Sequence, residues 1–298
     1  MTRRSSHMRS SVSGDGCAGW LTPHDDAALA RWAAASALVR ERAACQLDVP
    51  YGSAPLQTLD VFAPDPLFSA GRAPVLVVLH GGGWRALDKS HYSFLAASFA
   101  DEGALVVVPN HGLCPQVSLD RMAMQLTEAL AWVWRHAADH GGDPTRIVVV
   151  GHDSGGHLAA MLSACDWKLV GRDLPRRMVK GAMSVSGLHD LSPLALHRGG
   201  PSDLGLDAQA VRRLSPVNFP APTAPQTVLT VVGALEPEAR QQQARALQQA
   251  WGPRAVPVCE VMPGCDHFSV LYDLADPQGR THQWVRQLLG LRWYSGLL

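Results

Sequence analysis

The sequence predicts an α/β fold, a mostly parallel central sheet with helices on both faces. Three observations carry this. Apolar, β-branched runs of five to seven residues recur along the chain, segments with apolar residues at helical spacing lie between them, and Gly-containing clusters close each run. Past an N-terminal stretch, residues 25–44 are rich in Ala, Leu and Arg and predict a helix, followed by short strands over 46–51 and 58–62. Pro74-Val75-Leu76-Val77-Val78-Leu79 is continuous and apolar, the signature of a strand buried on both faces. Further strands are predicted over 104–108, 146–150, 179–185, 227–232 and 256–261, with helices over 92–101, 119–140, 156–166, 236–251 and 281–289.

The domain organisation follows from composition. Residues 1–22 are rich in Arg, Ser and Gly and predict a disordered tail, and 23–298 predict one domain, since no linker divides them. The stretch 187–225 carries Pro193, Pro201, Pro216, Pro220, Pro222 and Pro225 among polar residues and breaks the alternation. It is expected to be an excursion covering the face where the strands end.

The 298 residues hold 26 Lys plus Arg and 26 Asp plus Glu, a formal net charge of zero. Phosphate backbones and acidic membrane surfaces call for a basic surplus, so nucleic acid and membrane are excluded as main partners. The six cysteines form no CxxC pair and no dense framework, which argues against a zinc knuckle or a disulfide scaffold. Arg3-Arg4 is not followed by the apolar stretch of about 7 to 15 residues that a signal peptide needs. These observations predict a cytoplasmic protein with no metal and no cofactor, acting on a small molecule as a monomer or homodimer.

In an open parallel sheet, ligands bind beyond the carboxyl ends of the strands, and four strand ends here are informative. His80-Gly81-Gly82-Gly83-Trp84 lets backbone N–H groups approach a ligand, as an oxyanion hole requires. Gly151-His152-Asp153-Ser154-Gly155 joins a strand to a helix with small residues two positions either side of Asp153, the arrangement of a nucleophile elbow. Gly233 to Glu236 supplies a carboxylate after the seventh strand, and Asp266-His267-Phe268 supplies a histidine after the eighth. The chain order elbow, acid, histidine is that of the α/β-hydrolase arrangement. Trp84 is assigned to the pocket wall. His152, Asp153 and His157 lie close in sequence but carry no metal-site spacing, so no metal is expected.

These motifs, with Leu59-Asp60-Val61-Phe62, Asn110, Leu113 and Pro115, Ser186 to Leu191 and Leu214-Ser215-Pro216, resemble the esterase/lipase type of α/β-hydrolase and within it the arylformamidase-like group, over roughly residues 45 to 290. The resemblance implies an α/β-hydrolase fold and hydrolysis of a small carboxylic ester or amide. It also implies His267 as general base, Glu236 orienting it, and Gly82, Gly83 and the Ser154 N–H as oxyanion donors.

The sequence departs from the family at the decisive position, where Asp153 stands in place of the nucleophilic serine. Three outcomes are open. Asp153 is a nucleophile toward an alkyl halide or epoxide, as in branches of the fold with Gly-His-Asp-x-Gly elbows. Alternatively, it is a base or water-positioning group in ester or amide hydrolysis. In the third, the chain is an inactive binding pseudo-hydrolase whose Asp153 carboxylate fills the oxyanion hole. A shifted register, with Ser154 as the elbow residue, is a further alternative.

Overall fold

The computed structural model describes residues 25–68, 71–196 and 204–291. The tail expected over 1–22 therefore lies outside the described residues. Eight strands form one sheet: β1 (Cys45–Pro50), β2 (Thr58–Phe62), β3 (Ala73–Leu79), β4 (Leu105–Pro109), β5 (Gly142–His152), β6 (Val179–Val185), β7 (Thr227–Gly233) and β8 (Val258–Met262). Their spatial order is β1-β2-β4-β3-β5-β6-β7-β8. The first two pairings are antiparallel, and β4 through β8 run parallel. This is the mostly parallel sheet that the alternation predicts.

The helices are α1 (Asp26–Arg42), α2 (Phe94–Asp101), α3 (Leu119–His136), α4 (Ser154–Ser163), α5 (Trp167–Val170), α6 (Ser192–Leu196), α7 (Ala208–Leu214), α8 (Glu238–Trp251), α9 (Val270–Ala275) and α10 (Arg280–Leu289). They divide the core into two layers, and β3 shows the reason. Successive side chains of a strand point to opposite faces. Val75, Val77 and Leu79 pack with residues of α3, α4 and α8, whereas Leu76 and Val78 pack with residues of α1, α2, α9 and α10.

Three of the differences from the sequence reading have a local cause. The helix predicted over 119–140 ends at His136 and tightens into a 3₁₀ turn, Ala137–His140, because Gly141 closes it in the left-handed region at φ 82°. The last strand begins at Val258, two residues later than predicted, because Val256 still donates its N–H to Gly252 O at the end of the preceding turn. The helix α9, six residues between the His267 loop and Pro277, is too short to show a periodic pattern.

The chain crosses from β3 outward to β4 and returns to β5 on the other side of β3. Loops leaving β3 and β5 therefore diverge, and a crevice opens at their carboxyl ends. That crevice holds the residues singled out above.

A buried ion network ties the loop after β3 to the sheet. Lys89 Nζ reaches Asp60 Oδ1 at 2.6 Å and Asp48 Oδ1 at 2.7 Å, while Asp60 also accepts the Asp48 N–H at 2.9 Å. Lys89 and Asp60 are both buried. Removing one partner of a buried pair leaves an uncompensated charge. Lys89→Met is expected to lower the unfolding free energy by about 3 kcal/mol in urea titration; a loss under about 1 kcal/mol would show that the network does not hold the loop.

Candidate active site

The elbow forms because β5 runs straight into α4 through one residue. Asp153 adopts φ 51° and ψ −118°, a conformation costly for a side chain with a Cβ. Its neighbours permit it. A Cβ on Gly151 would lie 2.0 Å from Gly155 O, so only glycine fits beneath the turn. Ser154 is the first residue of α4, and its buried Oγ has no hydrogen-bond partner among the described residues. The strained turn thus falls on Asp153, which corrects the shifted-register alternative.

The glycine loop after β3, the expected oxyanion loop, closes on Asp153. Asp153 Oδ2 accepts the Gly82 N–H at 3.1 Å and the Gly83 N–H at 2.7 Å. Gly82 has φ 113°, and a Cβ there would sit 2.1 Å from Ala86 O, so the loop closes only with glycine at this position. The other oxygen, Oδ1, accepts Arg240 Nη1 at 2.9 Å, and the same nitrogen donates to Ser186 O at 2.9 Å. Asp153 and Arg240 are 5% and 3% exposed, so the pair is a buried one.

Beside it stands the second charged pair. His267 Nδ1 lies 2.8 Å from Glu236 Oε2, while Glu236 Oε1 accepts Ser186 Oγ at 2.5 Å and the Gly233 N–H at 2.9 Å. His152 joins the layers: Tyr92 Oη meets its Nδ1 at 2.9 Å, and its Nε2 lies 2.9 Å from His267 O. One tautomer satisfies both contacts, with Nε2–H donating to the carbonyl and Tyr92 donating to Nδ1.

A cavity of about 180 Å³ opens on these groups. Asp153, Arg240, His267, Gly82 and Gly83 line its polar end, and Leu29, Trp32, Leu87, Tyr92 and Phe268 line its apolar side. Its described lining includes no residue of the 187–225 excursion. That segment packs instead on α4 and α8, where His157 Nε2 meets Leu214 O and Trp251 Nε1 donates to Pro216 O. Trp84 is likewise not a wall of the cavity, contrary to its sequence assignment. It is 1% exposed, lies in the core, and donates its indole N–H to His157 Nδ1 at 3.3 Å. The left-handed backbone at Trp84, φ 62°, turns the ring inward from the glycine loop.

The BD-FAE family model matches residues 59–196 of this chain. Kynurenine formamidase of Danio rerio is 31% identical over 250 residues, 82% of this chain and 82% of that protein. The chain belongs to the esterase/arylformamidase-like family of α/β-hydrolases. Kynurenine formamidase of Salmo salar is 29% identical, again over 82% of both chains. Among solved structures, one from Silicibacter described provisionally as a thioesterase superposes with a TM-score of 0.73 at 28% identity, covering 92% of this chain and 96% of that one. Esterase B of Lactobacillus rhamnosis shares the fold, with a TM-score of 0.68 at 19% identity over 89% and 94% of the two chains. By fold and by descent the protein belongs with the hydrolases of esterase/formamidase type.

In this hydrolase the geometry brings Asp153, Glu236, His267, Gly82 and Gly83 together. Sequence reasoning missed Arg240, Ser186 and Tyr92. Arg240 lies in a polar stretch, Arg240-Gln241-Gln242-Gln243, that gives no composition signal. The signal was positional: Arg240, Gln243, Ala244, Leu247 and Trp251 fall on one buried helical face. Among the described residues, no group of three His, Cys, Asp or Glu side chains could hold a metal ion.

Burial alone pushes the Asp153 carboxyl up, but Arg240 first, then His267 and the Gly83 N–H, outweigh it and hold its pKa well below the usual carboxylate range. Burial opposes ionisation of Glu236 too, and the hydrogen bond and charge of His267, with Ser186 and Gly233, draw its pKa down. Both side chains are therefore carboxylates at neutral pH. Burial pushes His152 down to about 3 and His157 down to about 4, so both rings are neutral.

Arg240→Met leaves the Asp153 charge buried and unpaired, with an expected destabilisation of about 3 to 5 kcal/mol. Asp153→Ser combined with Arg240→Met is expected to cost less than the sum of the single changes by at least about 1 kcal/mol, read from urea titrations; strict additivity would dissolve the pair as an energetic unit. The histidines set a pH dependence. In the unfolded chain imidazoles take up protons near pH 6.5, whereas His157 and His152 in the fold do so only near 4 and 3. Between those limits the unfolded state binds more protons, so stability should fall as pH drops from about 6.5 to 4. The denaturation midpoint followed across that range checks this, and His157→Gln should make the decline shallower by up to one proton.

Proposed function

We propose that this chain keeps the pocket of an esterase/formamidase-type hydrolase and uses it to bind a small ligand, without the acyl-enzyme cycle that the family's serine supports. One observation carries the reading: the Asp153 carboxylate accepts the N–H groups of Gly82 and Gly83, the two donors expected to form the oxyanion hole. Three physical consequences support it. The elbow presents no hydroxyl nucleophile. The N–H groups of Gly82 and Gly83, which would stabilise a developing oxyanion, already donate to Asp153, and loss of even one such donor costs about 10² to 10³ in rate. A second anion would also sit against a fixed carboxylate.

Asp153 is poorly placed to attack an alkyl halide or epoxide. Oδ2 is held by two N–H groups and Oδ1 by Arg240, so neither oxygen is free of a charged or dipolar partner. An oxygen tied into a buried ion pair must give up that bond before it attacks, which raises the barrier.

A second reading is favoured by a specific feature, the intact Glu236–His267 pair at 2.8 Å. A water on His267 would hydrolyse a small carboxylic ester or amide once Asp153 swung out of the hole. Among the described residues, Cys45, Cys165, Cys259 and Cys265 are free thiols, which supports placing the protein in the reducing cytoplasm. No helix among the described residues is long and apolar enough to cross a membrane.

Turnover of p-nitrophenyl acetate and formanilide separates the readings. The wild type is expected to show no burst and no turnover above His267→Ala, while Asp153→Ser with Arg240→Met gains at least about 100-fold by freeing the hole and restoring a hydroxyl. Wild-type turnover that His267→Ala abolishes would establish the water route instead. Incorporation of heavy oxygen from labelled water into the Asp153 peptide during single turnover of an epoxide would establish the nucleophile route.

A further inference from the structure

We infer that Arg240 is a ligand-binding residue: its guanidinium, and not the glycine loop, meets the polar end of a bound molecule. It selects a compact neutral ligand carrying a hydrogen-bond acceptor, such as a ketone, amide or nitrile. The inference rests on the filled-hole reading above and goes one step past it, from the closing of the hole to the donor that remains.

A guanidinium stays protonated in proteins and carries five N–H donors, one on Nε and two on each Nη nitrogen. On Arg240 the Nη1 hydrogens are taken up by Asp153 Oδ1 and Ser186 O, both at 2.9 Å. The other three are not. Nε is fully buried with no partner, and Nη2 makes no hydrogen bond among the described residues. Arg240 is 3% exposed and lines the cavity, and Nη2, unlike Nε, is not fully enclosed, so its N–H pair is what the side chain presents there. Ser154 Oγ is also buried without a partner, but Ser154 is not part of the described lining.

Two features make that N–H pair selective. The Nη1 bonds, to acceptors from the elbow and from the residue after β6, fix the guanidinium before any ligand arrives, so little freedom is lost on binding. An apolar ligand of the same shape would seal the Nη2 hydrogens from water and leave them unpaired, which carries the full desolvation penalty of a buried donor. An acceptor removes that penalty. A carboxylate is disfavoured, because the guanidinium already holds Asp153 and a second anion would lie beside it. Size and walls set the rest. An apolar cavity of about 150 Å³ holds one benzene, and this one measures about 180 Å³. One ring and a few further atoms fit against Trp32, Tyr92 and Phe268, with Trp32 centred 5.5 Å from each of the other two rings.

Fluorine NMR titration of the full chain with 4-fluoroacetophenone and 1-ethyl-4-fluorobenzene, a pair in which a carbonyl replaces a methylene, tests the inference. The ketone is expected to bind about 10-fold more tightly, the effect of one hydrogen bond to a charged donor. It is also expected to shift the guanidinium proton resonances of Arg240. Arg240→Lys keeps a cation near Asp153 but removes the guanidinium edge, and once thermal melting shows it folded it is expected to bind the two probes with near-equal affinity. Equal or tighter binding of the hydrocarbon by the wild type, no binding of either probe, Arg240 resonances unmoved by saturating ketone, or an unchanged ketone preference in folded Arg240→Lys would each overturn it. 4-Fluorophenyl acetate run in parallel separates the two levels. Release of 4-fluorophenol that His267→Ala abolishes sinks the filled-hole reading and this inference with it, whereas a missing ketone preference without release sinks only the role of Arg240.

Discussion

A carboxylate at 5% exposure has to be held by donors or it does not stay charged, and nearly everything around the candidate site follows from how Asp153 is held. Its two oxygens draw the glycine loop after β3, the guanidinium of α8 and, through that guanidinium, the carbonyl of Ser186 into one cluster. Ser186 then carries the constraint onward. It sits at φ 53° after β6, and its hydroxyl holds Glu236, which in turn holds His267. Two ion pairs are therefore joined through one strained residue, and the loops after β3, β5, β6, β7 and β8 are mutually positioned by that chain of contacts.

On the function proposed above, the arrangement puts the geometry of an acyl-transfer site to a different end. In a serine hydrolase the hole stays open until charge develops in the transition state, because donors already satisfied cannot stabilise it further. Here the protein supplies its own anion, and Arg240 neutralises it. The glycine loop holds Gly82 at φ 113°, and the N–H groups of Gly82 and Gly83 donate to Asp153. Polar groups that would otherwise be unsatisfied inside a small cavity are thereby paired, which is what burial requires.

The aromatic side of the cavity has a separate origin. Trp32 and Leu29 come from α1, which precedes the first strand and packs across α2 and the loop holding Lys89. The Lys89–Asp60–Asp48 network pins that loop to the antiparallel edge of the sheet, so the cavity wall is anchored by charges lying outside the cavity. The 187–225 stretch, rich in proline, spends its described part on α4 and α8.

Much of this was legible in the chain itself. The continuous apolar run Val75 to Leu79 and the glycine clusters at strand ends specify strands, their burial and the positions of the loops, because those signals are local: they depend on each residue's own backbone and on neighbours a few positions away. The elbow at Asp153, the carboxylate at Glu236 and the imidazole at His267 were visible for the same reason, each being fixed by its place at a strand end. What Asp153 does there was not legible. Its partners are Gly82 and Gly83, about seventy residues earlier, and Arg240, 87 residues later, so no local pattern names the groups that hold it. Trp84 was misplaced for a related reason, since a left-handed turn at a single residue decides whether an indole faces a cavity or the core. Local pattern determined which residues reach the carboxyl ends of the strands. Only the tertiary structure decided the charge balance there, because a carboxylate and the guanidinium that neutralises it share no sequence signal, only a position in space.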